Sequence, residues 1–351
     1  MANFATAVLT KYQAKITQML QAGELRFRTP AIFNSIKAST EVMIPSHTQI
    51  KNAAKRVTGE VNYVKRSKRA LGLAGEKYNH TGAKGDSGIL VPAWTPYDDK
   101  FYYSIKQANG SVYELDEMIL AELNNAFGNF ADGLEAAAAT FLHTNRSGVN
   151  VYASQGAFND ANDVFEIQQD LSSLIATGYR AVQISKSVMG ANAWSGALVF
   201  YCDSISYDKF ETLAAQGKTN ATDYSFQFSG VTFVKAYDLD AKATVLGYTE
   251  GYWIVAPFGT LATMDWIPIQ NRQGLVTQVN KYGTIIDPNT GLALATHEYQ
   301  ARADEEDNGG DKQDVKVEVQ LFTYLSFNHA PLSTANETPL QAFGYVPAVI
   351  A

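Results

Sequence analysis

Residues 64 to 88, VKRSKRALGLAGEKYNHTGAKGDSG, join four basic residues to a run of glycines, the composition expected of a phosphate cradle. A nucleotide loop needs G-x-x-x-x-G-K-[ST] between a strand and a helix, so that backbone N–H groups and the helix amino terminus meet the phosphates together. Here GAKGDS sets its lysine two residues after Gly82, lacks the upstream glycine at the right offset and leads into a β-like run. The spacing rejects a nucleotide site and leaves a flexible hairpin tip. The basic run 51 to 69 holds seven Lys and Arg against one acid, Glu60, and would neutralise DNA phosphates. No helix-turn-helix or zinc-finger pattern accompanies it, so a subunit-contact face, touching nucleic acid only non-specifically, is the expectation.

Other catalytic chemistry finds little purchase. His47, His80, His143, His297 and His329 lie far apart, and the single cysteine, Cys202, sits in the apolar run ALVFYCD. Neither a metal site nor a disulfide framework is expected, and a lone buried thiol behaves as a small hydrophobe. There is no G-x-S-x-G elbow and no H-E-x-x-H. Asp304, Glu305, Glu306, Asp307 and Asp311 lack calcium-loop spacing and read as a solvated loop. Tyr248, Tyr252, Trp253, Trp266 and Tyr282 would suit a sugar or base-stacking groove, but aromatics on alternating strands are more often core or interface. No cofactor is expected, and the chain is read as no enzyme.

Charge adds a polarity. Residues 1 to 100 carry 15 Lys and Arg against 7 Asp and Glu, whereas the net charge of all 351 residues is -7. A basic amino-terminal part and an acidic body suit head-to-tail pairing of identical copies. No run is apolar enough for a membrane helix, and a soluble, unexported protein is expected.

The elements that would hold these residues follow from periodicity. Val8, Leu9, Tyr12, Ile16, Met19 and Leu20 mark a short amphipathic helix stopping at Gly23. From ELRFRTPAIFNSIKASTEVMIPSH, punctuated by Pro30 and Pro45, an extended arm with short strand character is expected. VTGEVNYV and GILVPAWTPYDDKFYYSIKQ flank the glycine-rich tip as a long hairpin. Ser111 and Glu114 form a capping box, after which apolar residues from Leu115 to Leu142 recur every three or four positions. About 31 residues at 1.5 Å each predict a rod of roughly 45 Å. AWSGALVFYCDSISYDKFETLAAQG reads as a buried strand entering a helix capped near Asp203 or Ser204. YSFQFSGVTFVKAYDL, TVLGYTEGYWIVAP and GLVTQVNKYGTIIDPNTGLALATHEY read as hairpins, and VKVEVQLFTYLSF as the best alternating strand.

In this order of parts, and in runs such as FYCDSISYDKF, FQFSGVTFVKA and YTEGYWIVAPFGTLATMDWIP, the chain resembles the major capsid proteins of tailed bacteriophages, the shell fold of the Hong Kong phage. The resemblance implies an α+β fold: an N-terminal arm (1–50), an extended β-hairpin loop (51–110), a peripheral domain with a long spine helix (111–164 and 286–351) and an axial domain (165–285). It implies a viral structural protein that self-assembles into pentamers and hexamers, forming an icosahedral capsid around double-stranded DNA. A separate scaffolding protein and a portal would be partners, the virion the location and the host cytoplasm the place of assembly. Lys65, Arg66, Lys68, Arg69, Lys77 and Lys84 in the loop would contact a neighbouring subunit; no motif marks a crosslinking partner for the lysines. An encapsulin-like nanocompartment shell is the nearest alternative, and a β-rich carbohydrate-active enzyme a more distant one.

Overall fold

The computed structural model describes residues 14–19, 21–22, 28–44, 61–64, 87–104, 115–152, 156–169, 174–216, 225–228, 230–277, 279–302, 315–330 and 337–347. Helices and strands mix throughout this α+β chain, and two sheets organise it. A seven-stranded sheet runs in the order β4 (Ala157–Asn159), β5 (Val164–Gln168), β14 (Gln341–Val346), β9 (Tyr252–Pro257), β6 (Leu198–Cys202), β8 (Val231–Lys235), β7 (Ser225–Phe228). β5–β14 and β6–β8 are parallel pairs; the other neighbours are antiparallel. The second sheet centres on β13 (Val315–His329), a strand of 15 residues. β3 (Thr95–Ser104) covers one edge of β13. β12 (Ala293–Arg302) and β10 (Leu261–Trp266) share its other edge end to end, and β11 (Asn280–Ile286) lies outside β12.

Alternation decides what each face of the seven-stranded sheet buries. Leu198, Phe200, Cys202, Trp253 and Val255 point into one core, with helices α3 (Leu174–Ala191) and α4 (Ser204–Gln216) packed over them. Val199, Tyr201, Tyr252, Ile254 and Ala256 point into the other, against α1 (Ala31–Met43), α2 (Leu115–Thr144) and α5 (Asp238–Leu246). A sheet buried on both faces needs near-continuous apolar strands, and YWIVAP, buried at every position, is one.

α2 is the predicted rod: 30 residues, about 45 Å long. Ile119, Leu123, Phe127, Phe130, Leu134, Ala138 and Leu142 form its buried stripe. Its middle touches the β13 sheet, where the Asn129 amide donates to Asp99 on β3. Its C-terminal end reaches the other sheet, where His143 Nδ1 lies 3.3 Å from the Tyr252 hydroxyl. One helix thus spans both sheets.

Three expectations change. The arm is helical over Ala31–Met43, because Ile32, Phe33, Ile36 and Thr40 share one buried face; Pro30 and Ile44 bound that helix. TVLGYTEGYWIVAP is no hairpin: TVL ends α5, Gly247 takes the left-handed conformation (φ 84°) that closes a helix, and only YWIVAP is strand. GILVPAWTPYDDKFYYSIKQ divides at 91–94 around Pro92, which has no N–H for a ladder, so β2 (Ser87–Leu90) and β3 enter different sheets. The hairpins through Gly230 and through residues 287–292 form as expected, and residues 14–19 of the first helix are helical. The capping box at Ser111 and the acidic loop 304–311 lie outside the described residues.

Candidate subunit-contact surface

The basic hairpin has a built root. β1 (Val61–Val64) pairs antiparallel with β2, from Val61 opposite Leu90 to Val64 opposite Ser87. Leu90 and Trp94 pack with Met43 on a small core of Ile44, Ala262 and Met264, which ties the root to the end of α1 and to β10. α1 is itself pinned to β10: the Ser39 hydroxyl donates to the Leu261 carbonyl, and Thr40 Oγ1 accepts the Thr263 N–H at 3.0 Å. Ile89 and Val91 are exposed beside this root. Lys65, Arg66, Lys68, Arg69, Lys77 and Lys84 lie outside the described residues.

Two elements carry several of the exposed carboxylates. α2 has five carboxylates in its sequence and no lysine or arginine, and Glu117, Glu122 and Asp132 face solvent. β3 adds Asp98 and Asp99. Lys100 pairs with Asp98 at 2.9 Å and the Gln320 amide donates to it at 2.8 Å; the Lys100 hydrogen bond holds the Asp98 carboxyl below the usual carboxylate range. Such an exposed pair adds little stability.

The open face of the β13 sheet carries a different chemistry. Register sets Asn280, Tyr299, Glu318 and Tyr102 directly opposite one another on β11, β12, β13 and β3. Opposed residues project to one side of a sheet. Tyr102 is 56% exposed and Tyr299 41%. Lys316 Nζ lies 4.4 Å from the centre of the Tyr102 ring and 3.4 Å from Glu318. The row two residues along sets Tyr282, His297, Gln320 and Lys100 opposite one another. Tyr282 stacks on His297 with centroids 4.8 Å apart, and Asn280 Oδ1 is 2.9 Å from His297 Nε2. Burial lowers the His297 pKa. Lys100, Tyr102, His297, Tyr299, Glu318 and Gln320 line a groove of about 490 Å³. Sequence reasoning missed Tyr102, Tyr299 and Glu318: alternation marks each as outward-facing, but only register makes them neighbours.

The buried titratable groups have structural partners or none. Glu135, 1% exposed, accepts the N–H groups of Ile32 and Phe33 at 3.1 Å each, taking the capping place that Pro30 leaves empty. Burial pushes its pKa to about 7. Asp203, raised to about 6 by burial, accepts the Ser206 N–H at 2.7 Å and the Tyr252 N–H at 2.9 Å, capping α4 where the sequence places a cap. Glu298, also 1% exposed, is raised to about 7 by burial, and neither of its oxygens has a hydrogen-bond partner among the described residues. Burial lowers His143 to about 4, which keeps its ring neutral, and pushes the Cys202 thiol up. Among the described residues, no group of three His, Cys, Asp or Glu could hold a metal ion, and no helix is long and apolar enough to cross a membrane. Tyr248, Tyr252, Trp253 and Trp266 are buried, so they pack the interior and line no open groove.

No family model and no curated protein matches this chain. The solved structures it is similar to include phage capsids and a phage head. The capsid asymmetric unit of cyanophage Pam1 is 9% identical over 83% of this chain and 85% of that chain, with a TM-score of 0.48. The capsid of cyanophage P-SCSP1u is 11% identical over 92% and 90%, also with a TM-score of 0.48. The head of Helicobacter pylori bacteriophage KHP40 is 8% identical over 84% and 85%, with a TM-score of 0.41.

Proposed function

We propose that this chain is a capsid subunit of a tailed bacteriophage, a non-enzymatic protein whose copies assemble into pentamers and hexamers and then a closed icosahedral shell around double-stranded DNA. The observation that carries the reading is α2. A 30-residue helix that touches both sheets is a stiff strut, and the basic segment 65–86 joins two paired strands of only four residues each. A hairpin that short cannot hold a polar tip by its own packing, and it gains stability by lying on another surface. The acidic faces of α2 and β3 supply such a surface on a neighbouring copy.

In this reading the arm comprises residues 1–50 and the extended loop 51–110. The peripheral domain, 111–164 and 286–351, is built on α2 as spine, and the axial domain is 165–285. Strands run across that division: β10 pairs with β13, and β14 pairs with β9. Lys65, Arg66, Lys68, Arg69, Lys77 and Lys84 contact the neighbour. Rings need heterologous contacts that close by rotation, and a basic hairpin on an acidic body provides them. A separate scaffolding protein and a portal take part in assembly in the host cytoplasm, and packaged DNA is touched non-specifically. Electron microscopy of the purified protein tests the reading: closed shells or capsomer rings support it, and a monomer that persists at high concentration and at every salt overturns it.

A further inference from the structure

We infer that the corner carrying Leu275, Val276 and Val279 seats on Val42, Val91 and Phe258 at the hairpin root of a second copy; this rests on the shell reading above. The corner follows a single helical turn, Ile269–Arg272. The Gln270 carbonyl accepts the Leu275 N–H at 3.1 Å, and the Leu275 carbonyl accepts the Tyr282 N–H at 2.9 Å. The Thr277 N–H reaches the Asn280 carbonyl at 2.8 Å, and Val276 stands opposite Lys281. Residues 275–277 are thus folded back along the outer edge of β11. Leu275, Val276 and Val279 are left 40 to 48% exposed there. Single exposed aliphatic residues are ordinary, whereas a contiguous group marks a contact surface.

The second group surrounds the root. A Cβ at Gly259 would lie 2.5 Å from Cγ1 of Val42, which sets that valine beside Phe258. Val91 follows Leu90, whose side chain packs on Ile44, Ala262 and Met264. Val42, Val91 and Phe258 are 44 to 62% exposed. The two groups cannot meet within one chain. The corner adjoins the row of Asn280, Tyr299 and Glu318, and the root adjoins the pair Leu261 and His329. Eleven residues of β13 separate Glu318 from His329, about 36 Å of strand. Two unlike patches at opposite ends of one sheet are what a ring requires, because each copy gives one patch to the neighbour on either side. A partner of another kind would need only one of them. Charge agrees in sign: residues 267–286 contain Arg272 and Lys281 and no acid, whereas Glu41 is the only charged residue in 38–44, 87–94 and 257–264. Lys37, one turn back on α1, donates to the Thr290 carbonyl at 2.7 Å. Glu41 itself makes no ion pair among the described residues.

The test uses particles assembled from an equal mixture of Val42→Cys and Val276→Cys full-length protein, treated with a short bismaleimide that bridges neighbouring thiols. Cys202 is fully buried, so only the introduced thiols react. Denaturing electrophoresis is expected to show linked dimers from the mixture, none from either variant assembled alone, and longer ladders from the doubly substituted protein. Val276→Asp, which places a charge in the apolar contact, is expected to need about tenfold more protein to assemble while melting at an unchanged temperature. Absence of dimers from the mixture, dimers from either cysteine variant alone, or assembly of Val276→Asp at the wild-type concentration overturns the contact and leaves the shell reading standing. Failure of the wild-type protein to form any particle overturns both.

Discussion

The carboxylate of Glu135 accepts the backbone N–H of Ile32 at 3.1 Å, across 103 residues of sequence. Its second oxygen takes the N–H of Phe33. A residue in the middle of the longest helix thereby caps the helix that leads to the hairpin root. Arg28, whose charge also acts on Glu135, pairs with Asp238 at 2.6 Å, and the two Glu135 oxygens are held by backbone N–H groups.

Stability is expected to fall as pH rises. Burial lifts Glu135 and Glu298 from 4.5 to about 7 and Asp203 from 3.8 to about 6. A carboxyl with a higher pKa in the folded state binds more protons there, so its contribution is full below the unfolded value and is lost through the folded one. Urea midpoints should therefore decline between about pH 4.5 and 7.5. His143, lowered from 6.5 to about 4, and His297, also lowered, oppose this slope below about pH 6.5, and Asp98, held low, does so only below the usual carboxylate range; the three raised carboxyls outweigh them. A midpoint that rises across the window contradicts this assignment.

Glu298→Gln and Glu135→Gln should differ in sign. Glu298 has no hydrogen bond to lose among the described residues, so neutralising it should add on the order of 1–3 kcal/mol at pH 8 and flatten the pH slope. Glutamine at 135 has one carbonyl oxygen for two N–H groups and turns its own donors on the second, a loss of about 1–3 kcal/mol. Chemical denaturation at pH 8 distinguishes them.

Asp203→Ala should cost about 2–4 kcal/mol, because it strands the buried N–H groups of Ser206 and Tyr252 and uncaps α4. A change below 0.5 kcal/mol in the same measurement, within the range of about ±0.5 kcal/mol usual for ordinary surface substitutions, would discount the cap.

Gly344→Ala should destabilise the fold despite adding only one carbon. A Cβ there lies 2.5 Å from Cδ1 of Tyr248. That ring cannot withdraw easily, since its hydroxyl is held by Glu166 at 2.9 Å and its face stacks on Tyr252. A loss of about 1–3 kcal/mol is expected in thermal unfolding.

Replacing Lys65, Arg66, Lys68 and Arg69 together by glutamate should block assembly while the subunit keeps its melting temperature. Particle yield by sedimentation, measured at low and moderate salt, checks it. Normal shells at moderate salt refute a contact role for these residues.

The elements with strong local signals were legible in the sequence. The α2 stripe, the LVFYC strand entering a capped helix, the turns after residues 228 and 286, and the alternation of VKVEVQLFTYLSF each follow from periodicity and turn chemistry alone. α1 was not legible, because its polar residues Ser39 and Thr40 are buried and only their bonds to β10 make that face consistent. α3 was obscured by Gly178 and Gly190, and β14 by its place at the far end of the chain.

What the sequence by itself determined was therefore the list of parts and their charges: a basic hairpin, an acidic rod, strands of known face. Which part meets which was decided by tertiary structure. β14 enters between β5 and β9, β10 and β12 share one edge of β13, and Tyr102, Glu318 and Tyr299 come into one row. The reason is physical. Periodicity reports which side of an element is apolar, whereas register and partner choice depend on contacts between residues hundreds of positions apart, and a one-residue slip would turn every side chain to the opposite face.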